Sequence, residues 1–245
     1  MLGGPRALLM QIAHPLVAAG VAAYSEFPID AFARLWRTID AMLAISFGDT
    51  EQSRQAALRV TAVHREVRGR ADDGRPYSAM DPDLLLWVHA TLVDSGLLVY
   101  RRFFGRLSDR DSERYVAEMG RLAVLMGVPE DGLITDLGAF TAYVDRTVSD
   151  LEVGRDALDL APWILRPSVP LALRPVARFQ ELVTVGLLPP ALRSEFGLSW
   201  SSRRERLLRA SAAAARAVVP RLPGAIRRWP QARAAERRTR SAPAA

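Results

Sequence analysis

The chain has 245 residues, of which 49% are hydrophobic, enough to build the core of one sizeable domain. It contains no cysteine, which excludes disulfides, iron–sulfur clusters, thiolate-ligated haem and haem attached through a Cys-x-x-Cys-His motif. All 33 basic residues are arginine, so lysine is absent as a nucleophile, base or metal ligand. The net charge of +6 is uneven, because residues 1–200 sum to −4 whereas residues 201–245 sum to +10.

Apolar residues recur at helical spacing between capping residues, and alternating strand patterns are hard to find, so the sequence predicts an all-α fold. The predicted helices lie over about residues 5–24 with a bend or break at Pro15, 29–47, 50–68, 82–104, 109–126, 136–150, 174–185 and 201–218. Residues 70–79 are predicted to form a polar loop, and Thr135 to cap the helix that follows it. A single helical domain over residues 1–200 with an appendage is the economical interpretation.

His64 is the most informative candidate for a site. Ala57, Val60, His64 and Val67 follow the spacing that places them on one face of the helix ending before Gly69, so the imidazole is expected to point inward. A buried neutral imidazole can bind a metal or haem iron through one nitrogen. The alternative is a histidine whose hydrogen bonds are satisfied within the core.

Five further residues are candidates for a functional site: a group on one predicted helix and the other two histidines. Arg34 and Thr38 stand four residues apart, with Arg37 between them, so two guanidinium groups and a hydroxyl can anchor a propionate carboxylate or hold a polar oxygen species. The alternative is exposed helix charges beside a threonine bonded to its own backbone. His89 lies in an apolar helix, where we expect it to orient other groups, with direct ligation as the lesser alternative. His14, before Pro15 at the bend, is expected to bond to backbone carbonyls freed there.

The basic character belongs to residues 201–245, which hold 12 arginines and 2 glutamates. We expect a basic amphipathic helix followed by a solvated, partly flexible tail. The tail has no base-reading module, so no sequence-specific nucleic acid binding is expected, whereas peripheral membrane contact through its charge stays open. The apolar run 84–100 is interrupted by His89 and Asp94, so we expect no membrane span. No cleavable signal peptide is recognised, so we expect a cytoplasmic protein.

Several short motifs occur together in a specific order. They are Gly3-Gly4-Pro5-Arg6-Ala7-Leu8-Leu9, Gln11-Ile12-Ala13-His14-Pro15 with Gly20-Val21, Arg34 to Thr38, Val63-His64 with Gly69, Tyr77-Ser78-Ala79-Met80-Asp81-Pro82, Trp87-Val88-His89-Ala90, Tyr115 with Glu118, Gly127-Val128-Pro129, Leu188-Pro189 and Arg193. In this order and spacing the chain resembles the MpaB-type and rubber oxygenase catalytic-domain family, which includes latex clearing protein. The likeness covers nearly the whole chain before the basic tail.

The resemblance implies a globin-like domain of about eight to ten helices that binds haem b and uses O2 to cleave carbon–carbon double bonds in an apolar, isoprenoid-type small substrate. His64 matches the proximal iron ligand, and Arg34 and Thr38 match the flanks of an Arg-x-x-Lys-Thr motif in which Arg37 replaces the lysine. A guanidinium keeps its proton and is a very poor ligand, so the iron is expected to be five-coordinate, water-bound or capped by another group. Rubber itself is not implied as the substrate, because the family includes members that act on small molecules.

Together these observations predict His64 as the metal ligand and Arg34, Thr38 and His89 as further cofactor-binding residues. Arg34, Arg37 and Thr38 are predicted to steer bound oxygen or a propionate. Two alternatives stay open. The lost lysine and the lack of a clear general base suit a haem carrier or sensor without turnover, and the basic tail suits a cofactor-free helical interaction protein.

Overall fold

The computed structural model describes residues 2–24 and 40–241. Within them the chain is largely α-helical, which confirms the all-α prediction. The helices are Gly4–Ala13 (α1), Pro15–Tyr24 (α2), residues 40–47 (α3), Thr50–Glu66 (α4), Pro82–Phe103 (α5), Asp109–Leu125 (α6), Leu137–Asp150 (α7), Arg155–Leu165 (α8), Arg174–Leu187 (α9), Pro190–Glu195 (α10), Ser202–Val218 (α11), Gly224–Arg227 (α12) and Pro230–Ser241 (α13). Short 3₁₀ turns cover Glu130–Gly132, Leu171–Leu173 and Val219–Arg221.

The expected break at Pro15 divides the first predicted helix into α1 and α2, whose axes differ by 110°. Proline has no N–H to donate into a continuing helix, and the residue before it is pushed away from helical geometry. His14 accordingly adopts an extended backbone with ψ of 120°. The chain therefore turns sharply at His14.

Most predicted helix starts agree with the structure. Asp49 forms a capping box with Gln52 at α4, Asp81 caps α5, and Ser108 caps α6. The cap predicted for α7 was wrong by one residue, because Asp136 accepts from the Ala139 N–H at 2.7 Å.

Residues 68–78 form a short antiparallel hairpin, so the prediction of a polar loop over residues 70–79 was wrong for the strand residues and holds for residues 71–75 between them. Strand β1 (Arg68–Arg70) pairs with β2 (Pro76–Ser78), with Gly69 opposite Tyr77. With only three residues each, these strands are too short to show an alternating pattern. α4 ends at Glu66, before the predicted stop at Gly69, because the chain enters β1 there.

Helix α1 is buried against α5, α8 and α9 and lies in the centre of the main core. Leu9, Met10 and Ile12 have no exposed surface. In the second half of α1, side-chain bonds join it to α5: Trp87 Nε1 donates to the Met10 carbonyl at 3.2 Å, and Gln11 Nε2 donates to Thr91 Oγ1 at 3.0 Å. α1 is therefore held by polar contacts as well as by apolar packing.

Arg6 is the charged residue of this core, and its side chain is 4% exposed. Its Nε donates to the Leu187 carbonyl of α9, and its Nη1 donates to Ser95 Oγ and lies near Asp94 Oδ2 on α5, each at 2.7 Å. Burial lowers the pKa of Arg6 and the carboxylate of Asp94 raises it. Arg6 thus joins three helices through one side chain.

The amphipathic helix expected over residues 201–218 is present as α11. Its apolar face places Leu208 and Ala212, each 1% exposed, against Phe103 and Val183. Arg102 of α5 also donates to Glu205 at 3.1 Å. This helix therefore packs on the helices of residues 1–200, with α12 and α13 following it.

Among the described helices, α5 by itself is long and apolar enough to cross a bilayer, and half of its apolar stretch is buried inside the protein. The bent pair α1 and α2 passes the same length and composition test only when taken as one segment. Core helices of soluble proteins have these properties too, so the two segments are weak evidence for a membrane span.

Replacing Arg6 by methionine is expected to lower the free energy of unfolding by about 2–4 kcal/mol, because the Leu187 carbonyl and Ser95 lose their donor and the partly exposed Asp94 loses its ion pair. Urea-induced unfolding followed by circular dichroism measures this loss. Arg155→Met is the matched control, since the Arg155–Asp159 pair is 3.8 Å long with side chains 87% and 75% exposed. Equal losses in the two variants would contradict a structural role for Arg6.

Candidate functional site

His64 lies in the last turn of α4, on the face that is turned towards the protein. The buried and half-buried positions along this helix and just after it are Ser53, Ala56, Ala57, Val60, Thr61, His64 and Val67. Ala57 and Val60 lie in a small apolar cluster with Ile45 of α3 and with Leu122 and Met126 of α6. The predicted stripe with an inward His64 is therefore present.

The imidazole of His64 has a buried nitrogen, Nδ1, without a hydrogen-bond partner among the described residues. Burial lowers the pKa of His64 below 6.5, so the ring is neutral at pH 7. Neutral imidazole is the form that binds metals. A buried ring nitrogen without a partner costs free energy unless something binds it, so this site suits an added electrophilic group.

The hairpin after α4 fixes the position of its last turn. The Ala79 N–H donates to the Val67 carbonyl at 2.9 Å, and Tyr24 Oη of α2 donates to the Arg68 carbonyl at 2.9 Å. A side chain at Gly69 would collide with Tyr77, since its Cβ would lie 2.7 Å from the phenol oxygen. The close packing of hairpin, α2 and Tyr77 therefore holds the end of the helix that carries His64.

His14 lies at the bend between α1 and α2. Burial and the charge of Arg75 lower the pKa of His14, whereas the charge of Asp81 raises it, so the hairpin and the start of α5 are its neighbours. Its Nδ1 is buried without a hydrogen-bond partner in the described part of the chain. The expected bond from this ring to a freed carbonyl is therefore not seen at Nδ1. The sequence did not predict that this nitrogen would be buried without a partner.

His89 lies half-buried on α5, four residues after Leu85 and seven before Gly96, a spacing that puts all three on one side of the helix. That side faces α6, because Leu85 packs against Ala123 and a Cβ at Gly96 would lie 2.6 Å from the Tyr115 oxygen. Burial lowers the pKa of His89 to about 4, so this ring is also neutral.

The three histidines lie on elements that meet around the hairpin: α4 leads into it, α5 follows it, and α2 packs on it. Within residues 2–24 and 40–241, however, no group of three or more His, Asp or Glu side chains is placed to hold a metal ion. Arg34, Arg37 and Thr38 lie outside the described residues, so their predicted roles stay predictions. A ligand set of several side chains is therefore not found in the described part of the fold.

Two surface depressions are present elsewhere. One of about 530 Å³ lies between the end of α8 and the start of α9, and one of about 290 Å³ lies beside α12 and α13. Neither is lined by a histidine. These depressions are therefore separate from the candidate site at α4.

Comparison with known proteins agrees with the sequence motifs. Residues 1–217 match the family described as "ER-bound oxygenase mpaB/B'/Rubber oxygenase, catalytic domain". The chain belongs to this family. The match continues beyond residue 200 into the last turn of α11, the helix that packs on the core of the MpaB/rubber oxygenase domain.

Two relatives of this family member come from mycobacteria, namely the uncharacterized protein Mb2261 of Mycobacterium bovis and the uncharacterized protein Rv2237 of Mycobacterium tuberculosis. Each is 31% identical over 210 residues, which cover 81% of this chain and 80% of the relative. No solved structure matches the chain. Membership of the MpaB/rubber oxygenase family supports an oxygenase-type function.

The low pKa of His89 predicts how acid affects stability. In the unfolded chain His89 binds its proton near pH 6.5, but in the folded protein only near pH 4. Between these values the unfolded state binds more protons, so the contribution of a neutral His89 is complete above about pH 6.5 and is lost as the pH falls towards 4. The loss approaches about 1.4 kcal/mol for each pH unit inside this window.

We expect His89→Phe to flatten the dependence of the free energy of unfolding on pH between about 6.5 and 4, as measured by urea unfolding at a series of pH values. Above pH 7 the wild type and the variant should show parallel curves. If the curves of the wild type and the variant are parallel between pH 6.5 and 4 as well, the pKa of His89 is the same in the folded and unfolded states and the prediction is wrong.

Proposed function

We propose that this protein is a haem b-dependent oxygenase that uses O2 on an apolar unsaturated small molecule of isoprenoid or lipid type. Family membership supports the oxygenase class. The observation that carries the haem assignment is the buried Nδ1 of His64, which has no partner among the described residues and belongs to a neutral ring. The residue is also the one that the family motif marks as the iron ligand.

A haem fits this site better than a bare metal ion. Several protein side chains usually bind a free transition metal, and no such group occurs in the described residues. A haem would need a single imidazole from the protein, because the porphyrin itself would supply four nitrogen ligands to the iron. His64 is therefore a sufficient donor set for haem, and an insufficient one for a structural or catalytic metal ion.

Each residue then has a separate task. His64 would hold the iron, and the hairpin fixes the end of the helix that carries this residue. Leu122 and Met126 of α6 pack with Val60, one turn before His64, and exclude water from this face of α4. His89, neutral and on the side of α5 that faces α6, orients neighbouring groups. From their spacing in the sequence, Arg34, Arg37 and Thr38 bind a propionate or a polar oxygen species.

Haem supplies the oxygen chemistry, and the protein supplies binding and orientation. Cleavage of one carbon–carbon double bond by one O2 breaks both bonds between the carbons and forms two carbonyl groups. Atoms and electrons balance in this reaction without an external reductant. This reaction needs no general base.

Haem binding tests the assignment of His64. Titration of the purified protein with hemin is expected to give a Soret band that shifts on dithionite reduction, and His64→Gly is expected to lose it. Added imidazole should restore the band in His64→Gly, because the free ligand can enter the space that the side chain leaves. His14→Gly is the control and should keep the band.

A protein that ignores hemin would leave the cofactor-free interaction protein as the function. Loss of the band in His14→Gly, with retention in His64→Gly, would move the ligand to the bend between α1 and α2. Circular dichroism of each variant shows whether the fold is kept.

Turnover separates an oxygenase from a haem carrier or sensor. With haem bound, unsaturated terpenoids or lipids are expected to cause steady O2 consumption, with two carbonyl groups formed for each O2 used. Saturated analogues of the same length are the control and should cause none. Haem binding without substrate-dependent O2 consumption would instead establish the non-catalytic role.

A further inference from the structure

Large apolar side chains are concentrated on one exposed stretch, residues 160–180, at the end of α8 and the start of α9. Five of the fourteen large hydrophobic residues exposed in the described part of the chain fall there. They are Trp163, Leu171, Leu173, Val176 and Phe179, which we call the α8–α9 surface. Leu171 is 74% exposed and Val176 is 63% exposed, and several such side chains close together form the kind of surface that marks an interaction site.

The same stretch is basic. Residues 160–180 contain Arg166, Arg174 and Arg178 and no acidic residue, although residues 1–200 as a whole carry a net charge of −4. All three arginines line the depression of about 530 Å³ between α8 and α9. Glu181 at its edge is 17% exposed and pairs with Arg166 at 3.0 Å, so Arg174 and Arg178 keep their charge available to a partner.

The backbone explains why these side chains project. Pro167 and Pro170 lie in the connection between α8 and α9, Pro175 lies in the first turn of α9, and residues 170–176 are all exposed. α9 buries Leu182, Val183 and Leu187 in its second half, whereas its first half lies at the surface. The connection and the first turns of α9 therefore extend beyond the packed core.

We propose that the α8–α9 surface docks the protein onto an anionic lipid bilayer. Exposed Trp and aliphatic side chains next to arginines are the composition that enters a membrane interface, with the guanidinium groups on lipid phosphates. A nucleic acid would neutralise the arginines but would leave Leu171 and Val176 in water. A lipid interface binds both the arginines and the apolar side chains and needs no shaped pocket. The combination of the two on this surface therefore favours a lipid bilayer.

Co-sedimentation of the full chain with vesicles tests the docking. We expect binding to vesicles that contain phosphatidylglycerol, weak binding to pure phosphatidylcholine vesicles, and a decrease as salt is added. Arg174→Gln with Arg178→Gln should weaken binding by about fivefold for each arginine. Leu171→Ser with Val176→Ser should weaken it by roughly tenfold or more, because both side chains leave water on docking.

A matched control is available on α6, where Arg121 and Leu125 are also exposed. Arg121→Gln with Leu125→Ser should bind vesicles as the wild type does. A second comparison uses the basic tail, since Arg237→Gln with Arg240→Gln removes two charges from α13 without changing the α8–α9 surface. Thermal unfolding of every variant shows that the fold is intact.

Site-specific labelling provides an independent readout, because the chain has no native cysteine. An environment-sensitive dye on Leu171→Cys should shift to shorter wavelength when anionic vesicles are added, and the same dye on Leu125→Cys should not. The proposal is overturned by equal binding of the α8–α9 variants and the wild type, by loss in the tail variant alone, by equal binding to neutral vesicles, or by equal dye shifts at the two positions.

Discussion

The buried guanidinium of Arg6 is the constraint on which the arrangement of the helices depends. An unpaired charge in a core costs far more than an imperfect apolar contact, so α1 must lie where Arg6 reaches Ser95 and Asp94 on α5 and the Leu187 carbonyl on α9. Apolar packing alone would tolerate a rotation of α1 about its axis. The ion pair and its hydrogen bonds exclude such a rotation, because they join three helices through one side chain.

The register of α1 on α5 also determines where the chain bends. Arg6 lies opposite Ser95, and Met10 lies opposite Trp87. Helix α1 therefore runs antiparallel to α5, and its C-terminal end lies near the start of α5. The bend at His14 consequently lies beside the hairpin, whose strands lead from α4 into α5. The position of His64 thus depends on a chain of contacts that begins at the opposite end of α1.

Local signals in the sequence predicted much of this fold. The caps at Asp49, Asp81 and Ser108, the break at Pro15 and the inward face of α4 all follow from rules that act within a few residues. The hairpin could not be predicted in this way, because its strands are three residues long and are stabilised by packing of Tyr77 against Gly69 and α2. The burial of the ring nitrogens of His14 and His64 depends on which helices pack beside them. A short stretch of sequence does not contain that information.

An oxygenase for apolar molecules must solve a supply problem, since such substrates are scarce in water and concentrated in lipid. Helix α8, which ends in the proposed membrane surface, also packs on α1 and α2, the helices that meet at His14. A bilayer contact there would place the lipid phase against the same helices that support the candidate site. The evidence for the proposed activity and the evidence for the proposed docking surface are independent, but α2 packs both on α8 and on the hairpin that follows His64.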